Sequence, residues 1–486
     1  MKTLVKNKRI DEDRFLKRRE KILSLWPTGK EVNLEEAIEY QRSLPESKRF
    51  SKVLEKLHNE GKTVIFPRAG TGLLEEMIEL VRSLAKNGVP LMPVTIDSHT
   101  RIGQFDKVQR ALEESVKTGR NLLNGYPIVN HGVKNTRKLV ESCDAAFSPR
   151  GYGNLGLEIG IASGMTGVGP GLFLGFGSYR KKETLEECIG PNQYITRLMG
   201  YYADRGVILT ADIHGLLPCG IFPLSVNIVC LIVEALIAVE QGVKSLMPQI
   251  HFEGNMAQDL AWIRVTQRLL REYLDKSDYR NVELSGTCAN QIPLFPVPQG
   301  MGEAFGYLNY TAMVAALAKV ETVFLRTIDE GAGVPTAEAH ALSYKSGNWI
   351  LEVVRPQNIQ MEMKEIEIEE RITELEVRAI LERLFEMGEG DIIMGSIKGI
   401  EAGIIDSPFS PSVNLKGKVL GIKDAKGACR YLDMGNLPIP KEAQEFHREK
   451  LAERERVEKR KMDYNVSIED FWAFSKGKLL GMPSSH

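Results

Sequence analysis

The sequence lacks most of the features that assign a protein quickly. Its six cysteines, Cys143, Cys188, Cys219, Cys230, Cys288 and Cys429, are spread over 486 residues, and none forms a C-x-x-C pair. That spacing excludes a zinc ribbon or a redox dithiol and reads as reduced thiols in a cytoplasmic protein. Charge of one sign is not in excess: 63 Lys and Arg stand against 64 Asp and Glu, for a formal net charge of −1. Non-specific nucleic-acid binding rests on clustered basic charge, which this balance argues against. The eight histidines are too scattered to suggest a metal cluster. The start, MKTLVKNKRIDEDRFLKRREK, has no apolar core and reads as no signal segment. One stretch, 215–233, is free of charge, but it holds Pro218, Pro223, Ser225 and Asn227 and runs into Glu234. A spanning helix wants about 20 mostly apolar residues. A strand-to-helix loop leading into a buried helix fits this stretch better.

What the sequence does have is a repeat. Residues 1–60 are polar and helical in pattern, broken at Pro27 and Pro45. Short apolar runs typical of buried parallel strands then recur at 63–67, 91–96, 126–130, 145–149, 207–211, 245–250, 282–287 and 322–325. Each is followed by a loop and an amphipathic helical pattern. A Gly-rich stretch at 164–178 reads as an insertion. Eight such units over 61–355 match an α/β fold of the (β/α)8 TIM-barrel type. An open doubly wound sheet shares the same period, because periodicity does not show closure. From 356 to 486 the pattern changes to an acidic helical run, a Gly- and Pro-rich stretch with strand-like pieces, and a densely charged segment at 441–462. The last is most simply a solvated helix. This part reads as a C-terminal α+β extension wrapping the barrel.

Barrel active sites lie at the carboxyl ends of the strands. Arg68, Arg101 and Arg150 follow the first, second and fourth runs, and Arg326 ends the eighth. Arginine keeps its charge, and its planar fork pairs two-for-two with carboxylates. One strand-end arginine is more often a surface salt bridge. Three at equivalent positions read as an anion site, for a dicarboxylate or a phosphate ester. Asn124, His131, Asp212, His214, His251, Glu253 and Glu330 lie near the same rim, and each alone is more often a satisfied structural group. Two motifs are decoys. Residues 151–156, GYGNLG, match a dinucleotide-binding turn, but at the fourth unit and without its acidic partner. Residues 97–103, DSHTRIG, nearly match a cobalt-ligating D-x-H-x-x-G, but the glycine is one place late, so His99 is not taken as a ligand.

A set of ordered motifs runs almost end to end: Trp26-Pro27-Thr28-Gly29-Lys30-Glu31-Val32, Pro67-Arg68-Ala69-Gly70, Thr95-Ile96-Asp97 with Arg101, Gly119-Arg120, Leu122-Leu123-Asn124-Gly125, Glu240-Gln241-Gly242-Val243-Lys244, Gly254-Asn255-Met256, Glu330 with Pro335-Thr336, Pro408-Phe409 and Arg430-Tyr431-Leu432. In these the chain resembles the large (epsilon) subunit of glutamate mutase, or methylaspartate mutase. The resemblance implies an adenosylcobalamin-dependent radical isomerase that interconverts L-glutamate and L-threo-3-methylaspartate. It implies a separate small subunit carrying the D-x-H-x-x-G element, in a heterotetramer with two copies of each chain. It places substrate on Arg68, Arg101, Arg150, Gly151 and Tyr179. It places cofactor on Gly70, Asn124, Ser178, Val297, Arg326, Glu330 and Val334, with Arg326 standing where the family has lysine and Val334 a mild change. One departure bears on substrate. The family's loop glutamate, which faces the substrate ammonium, falls on Gly169, and the family's first tyrosine falls near Gly175. That leaves open a related mutase for an acid lacking the ammonium. A nicotinamide enzyme using 151–156, or a non-catalytic barrel, is the reading from another class.

Overall fold

The computed structural model describes residues 6–67, 69–151, 153–216, 221–291, 298–330 and 336–481. Arg68, Val297 and Val334 lie outside them. Three helices, Glu12–Leu23, Leu34–Ser43 and Phe50–Asn59, come first, with Pro27 and Pro45 between them. The side chains of Asp11 and Asn33 accept from the first-turn amides of the first two, satisfying donors that have no partner inside the helix.

The strands are β1 (Val64–Phe66), β2 (Leu91–Thr95), β3 (Ala146–Arg150), β4 (Gly167–Val168), β5 (Thr210–His214), β6 (Ser245–His251), β7 (Glu283–Leu284), β8 (Cys288–Asn290) and β9 (Thr322–Phe324). A curled parallel sheet of seven runs in the order β1-β9-β8-β6-β5-β4, with β7 beside β6. A second parallel pair, β2-β3, lies beside it. The Thr95 amide donates to the Ala69 carbonyl at 2.6 Å, and the Thr166 amide to the Phe147 carbonyl at 3.0 Å. The fold is mixed α/β with a parallel sheet.

Several readings from the sequence need correction; the seventh run, 282–287, yields only the two-residue β7, and β8 begins just past it. The run 126–130 is not a strand: only Tyr126 bridges Ile96, and a helix, Ile128–Glu141, begins two residues later. Short apolar runs do not separate strand from buried helix, and this one feeds an amphipathic helix directly. The Gly-rich stretch is not a simple insertion, since it supplies β4 and a helix, Leu172–Ser178. Its residues are too small to show an apolar period. The fifth strand runs three residues later than its apolar run, so Asp212 and His214 lie inside it.

Alternation sorts each strand into two faces. Ile65, Met92, Val94, Phe147, Ala211, Ile213, Leu246, Ile250, Ala289 and Val323 join the main core with the helices. The other face carries Phe66, Leu91, Ala146, Met247 and Cys288, which pack with Phe50, Leu54 and Leu57 of the third helix in a separate cluster. Within it Leu91, Ala146 and Cys288 are the first residues of β2, β3 and β8. Further along the same face the residues turn polar.

The uncharged stretch leads into a helix, Ser225–Glu240, that is buried from Ser225 to Val239. Among the described residues no helix is long and apolar enough to cross a membrane. Beyond the sheet, helix Lys364–Met387 packs on helix Met256–Lys276 through Arg264 and Arg268 to Glu370, and Arg378 to Glu272. An antiparallel hairpin, β10 (Val419–Lys423) and β11 (Cys429–Met434), follows. The charged segment forms helix Lys441–Glu458, but it is not solvated all round: Ala443, His447, Leu451 and Arg454 are buried.

Candidate active site

Arg150 ends β3 with its guanidinium 5.2 Å from the centre of the Phe66 ring. It is ion-paired with Asp212 on β5. Its Nη2 lies 3.3 Å from His214 Nε2, which makes that nitrogen the acceptor and puts the ring proton on Nδ1. Burial pulls the Arg150 guanidinium down to about 10. The nearby Cys288 and Tyr179 oppose that in part, and the group is cationic at neutral pH.

Arg101 ends a short helix, Ser98–Arg101, whose first amides are capped by the Asp97 side chain. Its Nε donates to the Ile96 carbonyl at 2.7 Å, and the Ile96 amide donates to the Arg150 carbonyl at 2.9 Å. The two arginines are therefore held on adjoining strand ends. Gly151, at φ +142°, lies against Arg101: a Cβ there would come 2.9 Å from Arg101 Cδ. The glycines of the 151–156 turn thus serve packing, with Gly156 seated on Ile128.

On the facing strands the polar layer continues through His214, Gln249, His251 and Asn290, paired side by side in the ladders as His214 with Gln249 and His251 with Asn290. His251 is fully buried, and neither ring nitrogen has a hydrogen-bond partner among the described residues. Burial, and then the nearby Arg326, push its imidazole down to about 3, while burial, Arg150 and His251 hold His214 well below its usual value. Arg326 is ion-paired with Glu330, and its amide donates to Gln291 Oε1 at 2.7 Å. Glu253 follows β6 under the C-terminal hairpin, where its carbonyl accepts from Lys423 Nζ at 2.7 Å. Burial lifts its carboxyl well above the usual range.

Keeping His251 neutral has a consequence in acid. The unfolded imidazole titrates near 6.5 and the folded one near 3. Its contribution to stability is therefore present above about 6.5 and is lost as pH falls toward 3, a loss of roughly 3 kcal/mol by about pH 4. Denaturant melts at about pH 7 and about pH 4 should show this part of the acid sensitivity missing from His251→Gln. Equal sensitivity in both proteins would contradict it.

The other candidates lie on the rim. Gly70 is packed so that a Cβ would meet Thr95 Cβ at 2.8 Å and Thr95 O at 2.9 Å. Exposed Asn124 accepts from the Ser98 amide at 3.1 Å. Ser178 and exposed Tyr179 end the helix Leu172–Ser178, and Tyr179 is near enough to Arg150 to raise its pKa. Glu234 anchors that helix: its Oε2 accepts from the Phe173 amide at 3.2 Å, and burial pushes its carboxyl up to about 8. His131, by contrast, is occupied structurally, stacked on Tyr126 with Nε2 at 2.9 Å from the Gly72 carbonyl. Gln249 and Asn290 were not singled out from sequence. Their signal was alternation with Met247, His251 and Cys288, which the apolar runs hide.

Among the described residues no group of three or more His, Cys, Asp or Glu side chains could hold a metal ion. The layer instead offers arginines paired with carboxylates, and neutral imidazoles, which suits binding a small acid. A family profile described as Methylaspartate mutase E chain matches residues 44–483. The chain belongs to this family. It is 37% identical to the Glutamate mutase epsilon subunit of Desulfitobacterium hafniense, over 99% of each chain. It is 36% identical to that of Yersinia enterocolitica, over 99% of this chain and 100% of the other. It is 33% identical to that of Haloarcula marismortui, over 98% of this chain and 96% of the other. Membership of a mutase family makes the chain an isomerase subunit, and matches at such coverage leave no large segment of these relatives without a counterpart here.

Proposed function

We propose that this chain is the large, substrate-binding subunit of a glutamate mutase, which interconverts L-glutamate and L-threo-3-methylaspartate with adenosylcobalamin carried by a small partner subunit. The observation that carries this reading is the pair of arginines, Arg101 and Arg150, held at adjoining strand ends in a chain alike over its whole length to glutamate mutase epsilon subunits. The Ala69–Val94 bridge and the Thr166–Phe147 hydrogen bond support a closed eight-stranded barrel spanning 61–355, with the apolar cluster as its floor and the arginines at its mouth.

In this reading Arg68, Arg101 and Arg150 take the two substrate carboxylates, with Gly151 and Tyr179 beside them. Guanidinium forks fix the acid in one orientation and so limit the paths open to a reactive intermediate. Gly70, Asn124, Ser178, Val297, Arg326, Glu330 and Val334 face the cofactor. The residues present fit such a group: Gly70 lets the backbone after β1 pack closely on Thr95 and Gly125, and the neighbouring Asn124 is exposed. The chemistry supplied by bound adenosylcobalamin is the abstraction and return of a hydrogen atom. The walls of the barrel exclude water and stray hydrogen donors while the carbon skeleton rearranges. Two large and two small subunits would make up the assembly.

The test is reconstitution of this chain with its small subunit and adenosylcobalamin, in the dark and without oxygen, followed by incubation with carbon-13-labelled L-glutamate. The expected result is a labelled 3-methylaspartate resonance. A fully assembled complex that returns only glutamate would overturn the reading.

A further inference from the structure

An α-amino acid carries its ammonium and one carboxylate on the same carbon. A site for it needs a fixed cation and a fixed anion side by side. The polar layer holds such an arrangement in Arg150 and Asp212, ion-paired, with side chains 15% and 1% exposed. Asp212 Oδ1 also lies 3.5 Å from His214 Nε2. Arg150 has donors to spare, because its fork carries five N–H groups, and the Asp212 carboxylate has lone pairs beyond those facing Arg150. In the ladder Val168 pairs with Ala211, so the next residue along each strand places Gly169 beside Asp212. A Cβ at Gly169 would meet nothing within 4 Å. Open space therefore adjoins the carboxylate.

We infer that Asp212 is the specificity-determining anion that receives the substrate ammonium, while Arg150 takes the carboxylate on the same carbon. This rests on the reading of the chain as a mutase for an amino acid. His214 acts as a positioning residue: with Nε2 accepting from Arg150, it holds the guanidinium against Asp212. The bland account makes Asp212 only the counter-ion that keeps a buried Arg150 charged. The two accounts differ in sign. Removing a mere counter-ion leaves Arg150 unpaired, which strengthens the binding of any carboxylate. Removing an ammonium acceptor weakens only acids that carry an ammonium.

The experiment compares L-glutamate with glutarate, the same dicarboxylate without the ammonium. Calorimetric titration uses the full-length chain with its partner subunit and cofactor, in wild type, Asp212→Asn and Asp212→Glu. The preference for glutamate over glutarate should fall about ten- to a hundred-fold in Asp212→Asn, the range expected for one hydrogen bond to a charged group. It should return in part in Asp212→Glu. Glutamate binding by the wild type with an unchanged preference in Asp212→Asn would overturn the inference and leave the mutase reading standing. Wild type binding glutarate but not glutamate, or neither acid, would overturn both. If Asp212→Asn does not fold, the glutamate-to-glutarate ratio of Asp212→Ser decides instead: a fall of the same order supports the inference, and an unaltered ratio contradicts it.

Discussion

Replacing Arg150 with lysine is expected to lower kcat/KM by about two to three orders of magnitude with little loss of stability. Asp212 keeps a cationic partner in this variant, so no buried charge is stranded and the fold survives. What is lost is the planar fork. An ammonium is a point charge on a flexible stem and cannot bind a carboxylate two-for-two while also holding Asp212. Losing a desolvated, hydrogen-bonded ion pair weakens binding by about 2–5 kcal/mol, and a shift of the bound acid by an ångström reduces the rate further. Steady-state kinetics on Arg150→Lys, with thermal melts as a folding control, checks both halves. Activity near wild type would mean that Arg150 does not hold substrate.

The largest stability loss is expected at Arg454, on helix Lys441–Glu458. Its side chain is fully buried, as is that of Asp470, and the two are joined by a fork: Nη1 to Oδ2 at 2.6 Å and Nη2 to Oδ1 at 2.9 Å. Nε meets Glu458 at 2.6 Å, and Nη1 also donates to the Lys423 carbonyl at 2.6 Å. One guanidinium thus ties helix Lys441–Glu458 to helix Tyr464–Ala473 and to β10. Arg454→Met retains much of the volume but strands the Asp470 carboxylate in the interior. Breaking a buried pair from one side is destabilising by about 3–5 kcal/mol. Chemical denaturation should show this loss. Arg454→Met with Asp470→Leu should recover part of it, since replacing both partners strands neither charge. A single variant as stable as wild type would show that water reaches the pair.

Sequence pattern revealed the layers better than the count. The runs at 63–67, 91–96, 145–149, 245–250 and 322–325 became strands because buried parallel strands are continuous β-branched and apolar stretches. The third strand was misplaced because an apolar run entering a helix looks the same. β4 was missed because Gly167 and Val168 make a two-residue strand inside glycines. A Cβ on Gly167 would meet Phe50 Cδ2 at 2.7 Å, a tertiary reason that no local window contains. The placement of Arg150 at the end of β3 and of Arg101 just past β2 was legible because the apolar runs mark where those strands stop. Asp212 lies inside β5 and not past it, because that strand continues three residues beyond its apolar run into polar ones. The polarity of Gln249 and Asn290 carries meaning only once β6 and β8 are adjacent.

In the proposed function this chain binds L-glutamate for a radical rearrangement. The most direct measurement is electron paramagnetic resonance of the chain assembled with its small subunit and adenosylcobalamin, frozen after mixing with L-glutamate. The expected result is a cobalt(II) signal coupled to an organic radical, appearing with L-glutamate or 3-methylaspartate and absent without them. A complete complex that stays silent with both, or that responds only to an acid without an ammonium, would contradict the account.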